Sequence, residues 1–519
     1  MRICIERGVL MSKYFMGIDI GTFSSKGVVT DEKGGIVVQA SVPHGMENPR
    51  PNYYEHDAEA VWWHDFCLLS NELLRTSGLA ADQIAAVGAS TLGCDCVPVD
   101  ENCRPLRKAI LYGIDARAED EVEELTRYYG PEQVQKLFGR PMGSGDIAAK
   151  ILWLKNHEPE VYAKTHKFLT GSSYIAAKLT GNYCIDRYLA YASFRPMYAM
   201  DGSIREELCA PVCRPDQLAR AQTVTAPAGY VTAQAAEETG LAQGTLVITG
   251  TGDSCAEAIS AGVIKNGSMM LQFGSTLYIY CCTDHLIEDD RIRGTTFTIP
   301  GTYTIAAGTN TAGTLTKWYR DNIFPDLLQI EEAGGKNAYA AMAELADSVP
   351  PGSDGLITLP YLAGERSPIN DPNAKGLIFG LTLQHTRAHL YRSALEGVGY
   401  SVGQILDVIR EHGAAPDRIM AIGGGAQNRP WMQIVADIIG LPLYINEITV
   451  GASYGDALMA AIGSGQLGGF QNLEKIIKIR EIIHPDPRAH ELYRPYQEMF
   501  RALYLNNQEL MHQDGKSFA

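Results

Sequence analysis

One aspartate in this chain lies between glycines at the end of a short apolar stretch. Asp253 belongs to Gly250-Thr251-Gly252-Asp253-Ser254 and follows the strand-like stretch Leu246 to Thr249. Small neighbours let another molecule approach a carboxylate closely. A carboxylate at hydrogen-bond distance from a hydroxyl group can act as a general base. Asp253 also precedes a helix-like stretch, and an aspartate often caps a helix there, so its own motif leaves both roles open.

A second motif combines a carboxylate, hydroxyl groups and a lysine in ten residues, Gly17-Ile18-Asp19-Ile20-Gly21-Thr22-Phe23-Ser24-Ser25-Lys26. Backbone amides and a lysine neutralise phosphate oxygens, and a carboxylate can hold the water shell of a magnesium ion. A plain β-hairpin with a surface aspartate explains the same residues. The motif lacks the glycine and lysine spacing of a P-loop, so that fold is not implied.

Two further motifs are weaker. Gly423-Gly424-Gly425-Ala426-Gln427-Asn428 stands between a predicted strand, Arg418 to Ile422, and a helix that starts near Pro430. Glycines before a helix N-terminus suit a nucleotide contact, but a tight strand-to-helix turn needs them equally. In Tyr361 to Pro368, Glu365 and Arg366 adjoin turns, and composition alone assigns them no chemistry.

The motif that contains Asp19 lies within a predicted β-meander. The sequence predicts strands over Tyr14 to Ile20, Lys26 to Thr30 and Ile36 to Val42. Asp57 is expected to cap a helix that runs to about Thr76. Strand-like and helix-like stretches then alternate to about residue 240, which indicates an α/β fold.

The same order of strand, small-residue turn and strand returns near Gly267. Ser268 to Phe273 is followed by Gly274-Ser275-Thr276 and by Leu277 to Cys281. Two copies of one hairpin, about half a chain apart, predict two similar domains that face each other across a cleft.

Composition narrows the class of protein. The 519 residues are 45% hydrophobic and 20% charged, with a formal net charge of -16. This is an ordinary globular balance, and the acidic excess argues against a nucleic-acid partner. No apolar run reaches the length of about 18 residues that spans a bilayer. Residues 1–12 are too charged for a signal peptide, so we expect a cytoplasmic protein whose fold begins near Lys13.

Eleven cysteines raise the possibility of a zinc site. They include Cys94, Cys96 and Cys103, and the pair Cys209 and Cys213. Neither group has the paired Cys-x-x-Cys spacing of structural zinc sites. We expect no zinc and free thiols of a reducing compartment.

Taken together and in order, the motifs resemble the FGGY carbohydrate kinases of the actin-like ATPase superfamily. Gly376-Leu377-Ile378-Phe379-Gly380-Leu381, with His389-Leu390 and Ser393-Ala394-Leu395-Glu396, fits the family's second signature. The first signature is partly met: Lys150 to Asn156 fits, but Ile147 stands where the family has Pro, Ser or Thr. The segment from Pro360 to Leu381 is similar to the xylulokinase branch.

The resemblance implies two ribonuclease-H-like domains that flank a nucleotide cleft. The expected limits are 13–262 for an N-terminal domain on the sugar side, 263–470 for a C-terminal domain on the nucleotide side, and 471–519 for a polar helical extension. It implies ATP and Mg²⁺ as cofactors, a small sugar as substrate and a homodimer. Asp253 would be the catalytic base and Asp19 would organise magnesium through water. The residues expected to bind ATP are Thr22, Ser24, Lys26, Ser275, Thr276, Gly308, Gly425 and Asn428.

The resemblance is weaker on the sugar side. The expected sugar contacts are Gly93, Cys94, Asp95, Asp115, Asp253 and Ser254. Xylulokinases have a Met-His pair where this chain has Gly93-Cys94, and an Asn at the position of Ser254. Asp95 could bind hydroxyl groups instead, or be a solvated loop residue. D-Xylulose, phosphorylated to its 5-phosphate, is therefore the first expected substrate, with another ketose, a polyol or an aldonate (ribulose, gluconate, glycerol or erythritol type) as the alternative.

Two other classes fit parts of the pattern. An actin- or chaperone-type ATPase would share the phosphate hairpins but would not need Asp253, and a sugar-binding regulator without activity would not need both acids and both turns. Sugar-dependent ADP release discriminates among the three.

Overall fold

The structure is a computed structural model that describes residues 13–513. The predicted N-terminal extension, residues 1–12, lies outside the described residues. The chain folds as two compact units that are not continuous in sequence. The first runs to Ser260 and also contains Thr295–Gly301 and Val450–Ile477. The second contains Ala261–Gly294 and Thr302–Thr449, and resumes at Lys478.

The first unit is built on a seven-stranded mixed sheet. Tyr14–Ile20 lies in its centre, antiparallel to Ser24–Thr30 and parallel to Ile84–Thr91. The predicted β-meander is present. The strands of the first unit, including those of smaller sheets, are Tyr14–Ile20, Ser24–Thr30, Ile36–Pro43, Glu47–Arg50, Tyr53–His56, Ile84–Thr91, Val97–Val99, Ala109–Ile110, Lys167–Leu169, Cys184–Asp186, Arg220–Gln222, Pro227–Tyr230, Leu246–Ile248 and Thr251–Gly252.

Helices cover this sheet with their apolar faces. Asp57 caps the first helical segment as predicted, because its Oδ1 accepts the amides of Glu59 and Ala60 at 3.0 and 2.9 Å. The helices are Ala58–Trp63 (a π-helix), His64–Ser77, Glu119–Tyr129, Pro131–Phe138, Ile147–His157, Pro159–Lys164, Gly171–Thr180, Arg187–Ser193, Glu206–Cys209, Ala233–Thr239, Asp253–Ala261 and Ala452–Gly463, with 3₁₀ turns Ala81–Gln83, Pro215–Gln217 and Phe470–Lys475.

Helix Ala452–Gly463 returns from late in the chain to lie on the central strand. A Cβ atom on Gly17 would be 2.0 Å from the carbonyl oxygen of Ser453, and one on Gly455 would be 1.9 Å from that of Ala256. Only glycine permits backbones to pack this closely. Val450–Ile477 therefore belongs to the first unit, whereas the expected domain limits placed residues up to 470 in the second.

The second unit repeats the plan. Ser268–Phe273 is central in another seven-stranded sheet, antiparallel to Leu277–Thr283 and parallel to Arg418–Ile422. The strands are Ser268–Phe273, Leu277–Thr283, Arg293–Thr296, Tyr303–Thr309, Ile357–Leu359, Leu377–Phe379, Arg418–Ile422, Leu443–Asn446 and Ile479–Ile483. The helices are Gly313–Asn322, Pro325–Glu332, Ala338–Asp347, Arg387–Glu411, Arg429–Ile439 and Pro487–His512, with 3₁₀ turns Ser353–Gly355 and Gly424–Gln427.

The last helix differs from its prediction as a polar surface element. Helix Pro487–His512 buries Tyr493, Phe500, Leu503 and Tyr504 in the core of the second unit. It is therefore amphipathic and helps to build that core. No helix between residues 13 and 513 is long and apolar enough to cross a membrane.

Candidate active site

Strand pairing brings the two predicted acids of the first unit together. Asp19 and Thr251 both pair with Ser90, from opposite sides of strand Ile84–Thr91. Asp253 follows two residues after Thr251, as the first residue of helix Asp253–Ala261. The row Asp19, Ser90, Thr251 thus places both carboxylates at the same edge of the sheet.

Asp253 has the properties of a general base. Its Oδ1 accepts the amide of Ser254 at 2.6 Å, and burial raises the pKa of Asp253 to about 6. A pKa close to neutrality keeps the carboxylate mostly ionised at pH 7, yet basic enough to accept a proton.

Asp19 is not the fully exposed aspartate of a plain hairpin. It is half-buried, and its Oδ1 accepts the hydroxyl of Ser90 at 3.0 Å. Burial and the neighbouring charge of Asp253 raise the pKa of Asp19 to about 8, although Ser90 and Lys26 oppose this shift. A nearby cation would stabilise the ionised form of such a carboxylate.

The sequence analysis did not identify a third acid, Asp456. It lies fully buried on helix Ala452–Gly463, and its Oδ2 is 2.6 Å from Ser90 Oγ. One hydroxyl proton cannot serve Asp19 and Asp456 at once, so the pair favours an additional proton. Burial accordingly raises the pKa of Asp456 well above its usual range. A single acid in the otherwise apolar helix was the signal in the sequence.

The turn that follows Asp19 is held by a second network of polar side chains. The sequence analysis did not predict this network. Ser25 Oγ donates to Asp65 Oδ2 at 2.7 Å, and His44 Nδ1 lies 2.8 Å from the same oxygen. His44 Nε2 is 3.0 Å from the carbonyl oxygen of Gly21. Burial opposes the charge of Asp65, but these bonds hold its pKa below the usual value.

The candidate ATP residues of this turn face outward. Thr22 and Ser24 are half-buried and Lys26 is exposed. Thr22 Oγ1 is 3.4 Å from the hydroxyl of Tyr112, and Gly21 donates its amide to the carbonyl of Ser24 at 3.1 Å. The turn is therefore ordered by its own backbone and leaves the lysine accessible.

The sugar-side loop runs from Gly93 to Asp95. Ser193 Oγ donates to the carbonyl of Gly93 at 2.8 Å and lies 3.3 Å from Cys94 Sγ. A Cβ atom on Gly93 would meet only Leu189 Cδ2, at 3.7 Å, so packing does not demand glycine there.

Asp95 is fully buried, which excludes the solvated-loop alternative. Neither of its carboxylate oxygens has a side-chain partner at hydrogen-bond distance within residues 13–513. Burial raises the pKa of Asp95 well above its usual range, against the opposing charge of buried Lys150. Its role as a sugar contact stays a prediction.

Asp115, another expected sugar contact, is paired within the first unit. Its side chain is inaccessible and pairs with Arg117, whose Nε and Nη2 donate to Oδ1 and Oδ2 at 2.9 and 2.8 Å. The amide of Tyr54 also donates to Oδ2, at 2.7 Å. These donors hydrogen-bond both oxygens, and the role of Asp115 as a sugar contact stays a prediction.

The candidate ATP residues of the second unit fall into two kinds. Ser275 and Thr276 are exposed in the hairpin turn, which Gly274 closes by donating to the carbonyl of Thr276 at 3.0 Å. Gly308 is buried, and its Cβ atom would lie 2.2 Å from the carbonyl of Leu277, so strand packing explains this glycine.

The third glycine turn is likewise structural in part. Asn428 Oδ1 accepts the amide of Trp431 at 3.1 Å and caps helix Arg429–Ile439. A Cβ atom on Gly425 would lie 2.8 Å from Phe273 Cβ. Contacts of Gly308, Gly425 and Asn428 with a nucleotide therefore remain predictions.

Two α/β units, each centred on a hairpin with a turn of glycine and hydroxyl residues, define the fold of actin-like ATPases, as predicted. Comparison with known proteins gives the family. The model of the FGGY family of carbohydrate kinases, N-terminal domain, matches residues 14–260, and that of the C-terminal domain matches residues 274–464.

Solved and curated relatives agree over nearly the whole chain. The crystal structure of xylulose kinase from Rhodospirillum rubrum is 30% identical, with a TM-score of 0.87, and the match covers 96% of this chain and 100% of that one. Xylulose kinase of Staphylococcus epidermidis is 28% identical over 96% of this chain and 98% of its own length. Gluconokinase of Bacillus licheniformis is 26% identical over 94% and 95%.

The chain therefore belongs to the FGGY family of carbohydrate kinases, and it is a phosphotransferase that acts on a small sugar. Membership in this family implies the use of ATP.

Proposed function

We propose that this kinase transfers the γ-phosphoryl group of ATP to a hydroxyl of a small sugar, with D-xylulose as the first candidate and Asp253 as the base. The placement of Asp253 supports this proposal most directly. Its carboxylate follows the Thr251–Ser90–Asp19 row, with its pKa raised to about 6. Two relatives named xylulose kinase support the choice of sugar.

The proposed reaction needs alignment and charge neutralisation more than covalent chemistry from the protein. Asp253 accepts the proton of the attacking sugar hydroxyl while the new O–P bond forms. The bond between the γ-phosphorus and the bridging oxygen breaks, and ADP leaves with that electron pair. Lys26 of the first hairpin and Ser275 and Thr276 of the second turn lie on accessible surface, as phosphate contacts require.

Magnesium fits the acids of the first unit. Burial leaves Asp19 short of compensating positive charge, and bound magnesium neutralises charge that develops on the transferred phosphoryl group. Within the described part of the chain, no group of three or more His, Cys, Asp or Glu side chains forms a direct metal site. We therefore propose that Asp19 holds the ion through water, since Mg²⁺ retains several waters and binds substrate phosphates.

The test is ADP release with D-xylulose, D-ribulose, a hexulose, xylitol and D-gluconate. We expect the highest kcat/KM with a pentulose, and a loss of at least about a hundredfold in kcat in Asp253→Asn, the scale of general-base removal. Asp82→Asn, at an exposed position, is the matched control and should keep full turnover.

Two results would count against the proposal. Near-full turnover by Asp253→Asn would remove the base assignment, and preference for gluconate over every neutral sugar would remove D-xylulose. The homodimer and the cytoplasmic location remain predictions from the sequence.

A further inference from the structure

One short helix is tied at both ends to segments that the proposed reaction uses. At its start, Asp186 Oδ2 accepts the hydroxyl of Thr251 at 2.7 Å. At its end, Ser193 Oγ donates to the carbonyl of Gly93 at 2.8 Å. Helix Arg187–Ser193 therefore connects the strand before Asp253 with the sugar-side loop.

The middle of this helix packs against the same two segments. A Cβ atom on Gly252 would lie 3.3 Å from Leu189 Cδ2 and 3.4 Å from Gly93 Cα. Leu189 is buried, so the helix holds it at this junction. The Gly93 loop and the residue before Asp253 therefore pack directly against each other, and Leu189 lies against both.

The backbone before Asp253 is held by a short strand that pairs with Ser90 and Thr91. Strand Thr251–Gly252 is two residues long, and Gly250 before it has a φ of +74°. The Thr251 hydroxyl bond to Asp186 therefore adds a side-chain anchor to this short ladder.

A second hydroxyl binds the same carboxylate oxygen from elsewhere in the first unit. Thr298 Oγ1 donates to Asp186 Oδ2 at 2.9 Å, and Thr298 belongs to the segment Thr295–Gly301. Asp186 is buried, and a buried carboxylate is costly unless hydrogen bonds compensate it. Two chemically alike bonds thus meet at one atom, and only one of them leads to Asp253.

We propose that Asp186 is a positioning residue for Asp253. It acts through Thr251 and holds the base at a set distance from the Gly93 loop. This inference rests on the proposed role of Asp253 as the base. Displacing a reacting group by about 1 Å can cost about a hundredfold in rate, so a loosened Thr251 should slow the chemical step more than it weakens substrate binding.

The paired hydroxyls supply a matched experiment. Thr251→Val and Thr298→Val each remove one donor to the same oxygen and keep the side-chain shape. We expect Thr251→Val to lower kcat by about tenfold to a hundredfold, with a much smaller change in KM for the sugar. Thr298→Val should lower the melting temperature but leave kcat within about twofold of wild type.

A purely structural role for Asp186 makes a different forecast. Both valine variants would then lose melting temperature without a selective loss of kcat, and equal kcat values in the two variants would overturn the inference. Asp186→Asn and Asp186→Leu provide an independent comparison. Asn keeps an acceptor oxygen for both hydroxyls, so it should retain more kcat than Leu at similar melting temperature, and equal kcat in both would also overturn it.

Failure of the proposed function has its own readout. If Asp253→Asn kept full turnover, the base assignment would fall whatever the valine variants did. If Asp253→Asn were inactive while Thr251→Val and Thr298→Val behaved alike, only the positioning role would fall.

Discussion

The two hairpins of this kinase use the same backbone arrangement with different side-chain chemistry. In the first, Tyr14–Ile20 pairs antiparallel with Ser24–Thr30 and parallel with a later strand. In the second, Ser268–Phe273 pairs in the same two ways. The penultimate residue of the leading strand is Asp19 in one hairpin and Gln272 in the other.

The difference extends to the strands beside the hairpins. Asp19 pairs with Ser90, which contacts Asp456, whereas Gln272 pairs with the apolar Ile422. A backbone turn of amides and hydroxyls can bind phosphate in either unit, but a carboxylate row that responds to cations and protons occurs at the first hairpin. The fold repeats the hairpin, and single residues decide which copy carries a carboxylate.

The largest expected effect comes from replacing that carboxylate, which a bound cation would keep ionised. Asp19→Asn should lower activity by about tenfold to a hundredfold, the range for residues that hold a metal's outer shell, and should raise the magnesium concentration needed for half-maximal ADP release. Gln272→Asn changes the corresponding position of the second hairpin without altering charge, and we expect a much smaller loss. Equal losses in the two variants would break the comparison.

The next largest effect is the pH dependence of kcat/KM, which tests the acids beside the first hairpin. Because Asp253 must be ionised to accept a proton and its pKa is raised to about 6, kcat/KM should fall about tenfold per pH unit below pH 6.

The stability of the folded protein should instead decrease as the pH rises. Folded Asp19 binds a proton up to about pH 8, whereas its usual pKa is 3.8. The folded state thus binds more protons than the unfolded state, and the free energy of unfolding falls as pH rises from about 4 to 8.

Melting temperatures of the protein without nucleotide or magnesium, measured across that range, check the sign. Asp19→Asn should flatten the slope and Gln272→Asn should preserve it. A protein that gained stability between pH 4 and 8 with Asp19 intact, and kept that trend in Asp19→Asn, would show that other groups dominate.

The smallest effect concerns Glu396, a buried acid of the second unit whose carboxylate accepts hydrogen bonds from neighbouring side chains. Glu396 Oε1 accepts the hydroxyl of Tyr493 at 2.8 Å and Nε of Arg392 at 2.9 Å, and Oε2 accepts Ser353 Oγ at 2.8 Å. Tyr493→Phe should cost about 1.5 to 3 kcal/mol in unfolding free energy, typical of a hydrogen bond to a charged group. Its kcat at room temperature should stay at the wild-type value.

Tyr444→Phe, which keeps its ring beside Arg418, is the control for loss of a tyrosine hydroxyl and should unfold like wild type in urea. A fall in kcat with Tyr493→Phe, at temperatures where the variant is fully folded, would contradict the structural role of Glu396.

The sequence was informative where structure depends on local chemistry. Turns of Gly, Ser and Thr between β-prone stretches predicted both hairpins, and Asp57 predicted its helix cap. The adjacency of Asp19 and Asp253 came from the family resemblance, because it depends on parallel pairing with Ile84–Thr91, far from both residues in sequence.

The missed features depend on partners that are remote in the chain. Asp456 contacts Ser90 from a helix that follows all but the last strand of the second seven-stranded sheet in the chain. The hydrogen bonds that Asp115 accepts from Arg117 and from the amide of Tyr54 were likewise not predicted. The apolar spacing of Tyr493, Phe500 and Tyr504 did contain a helical face, which the polar composition of the last forty residues concealed.

The close packing of Gly17 against Ser453 has a consequence for biosynthesis. The first unit ends its main stretch at Ser260, yet its central strand is covered by a helix from the segment that begins at Val450. At about 5 to 20 residues per second, a ribosome needs on the order of 10 to 40 seconds to make the intervening chain. During that interval the apolar surface of the nascent first unit is uncovered, which makes it a target for chaperones that bind emerging polypeptides.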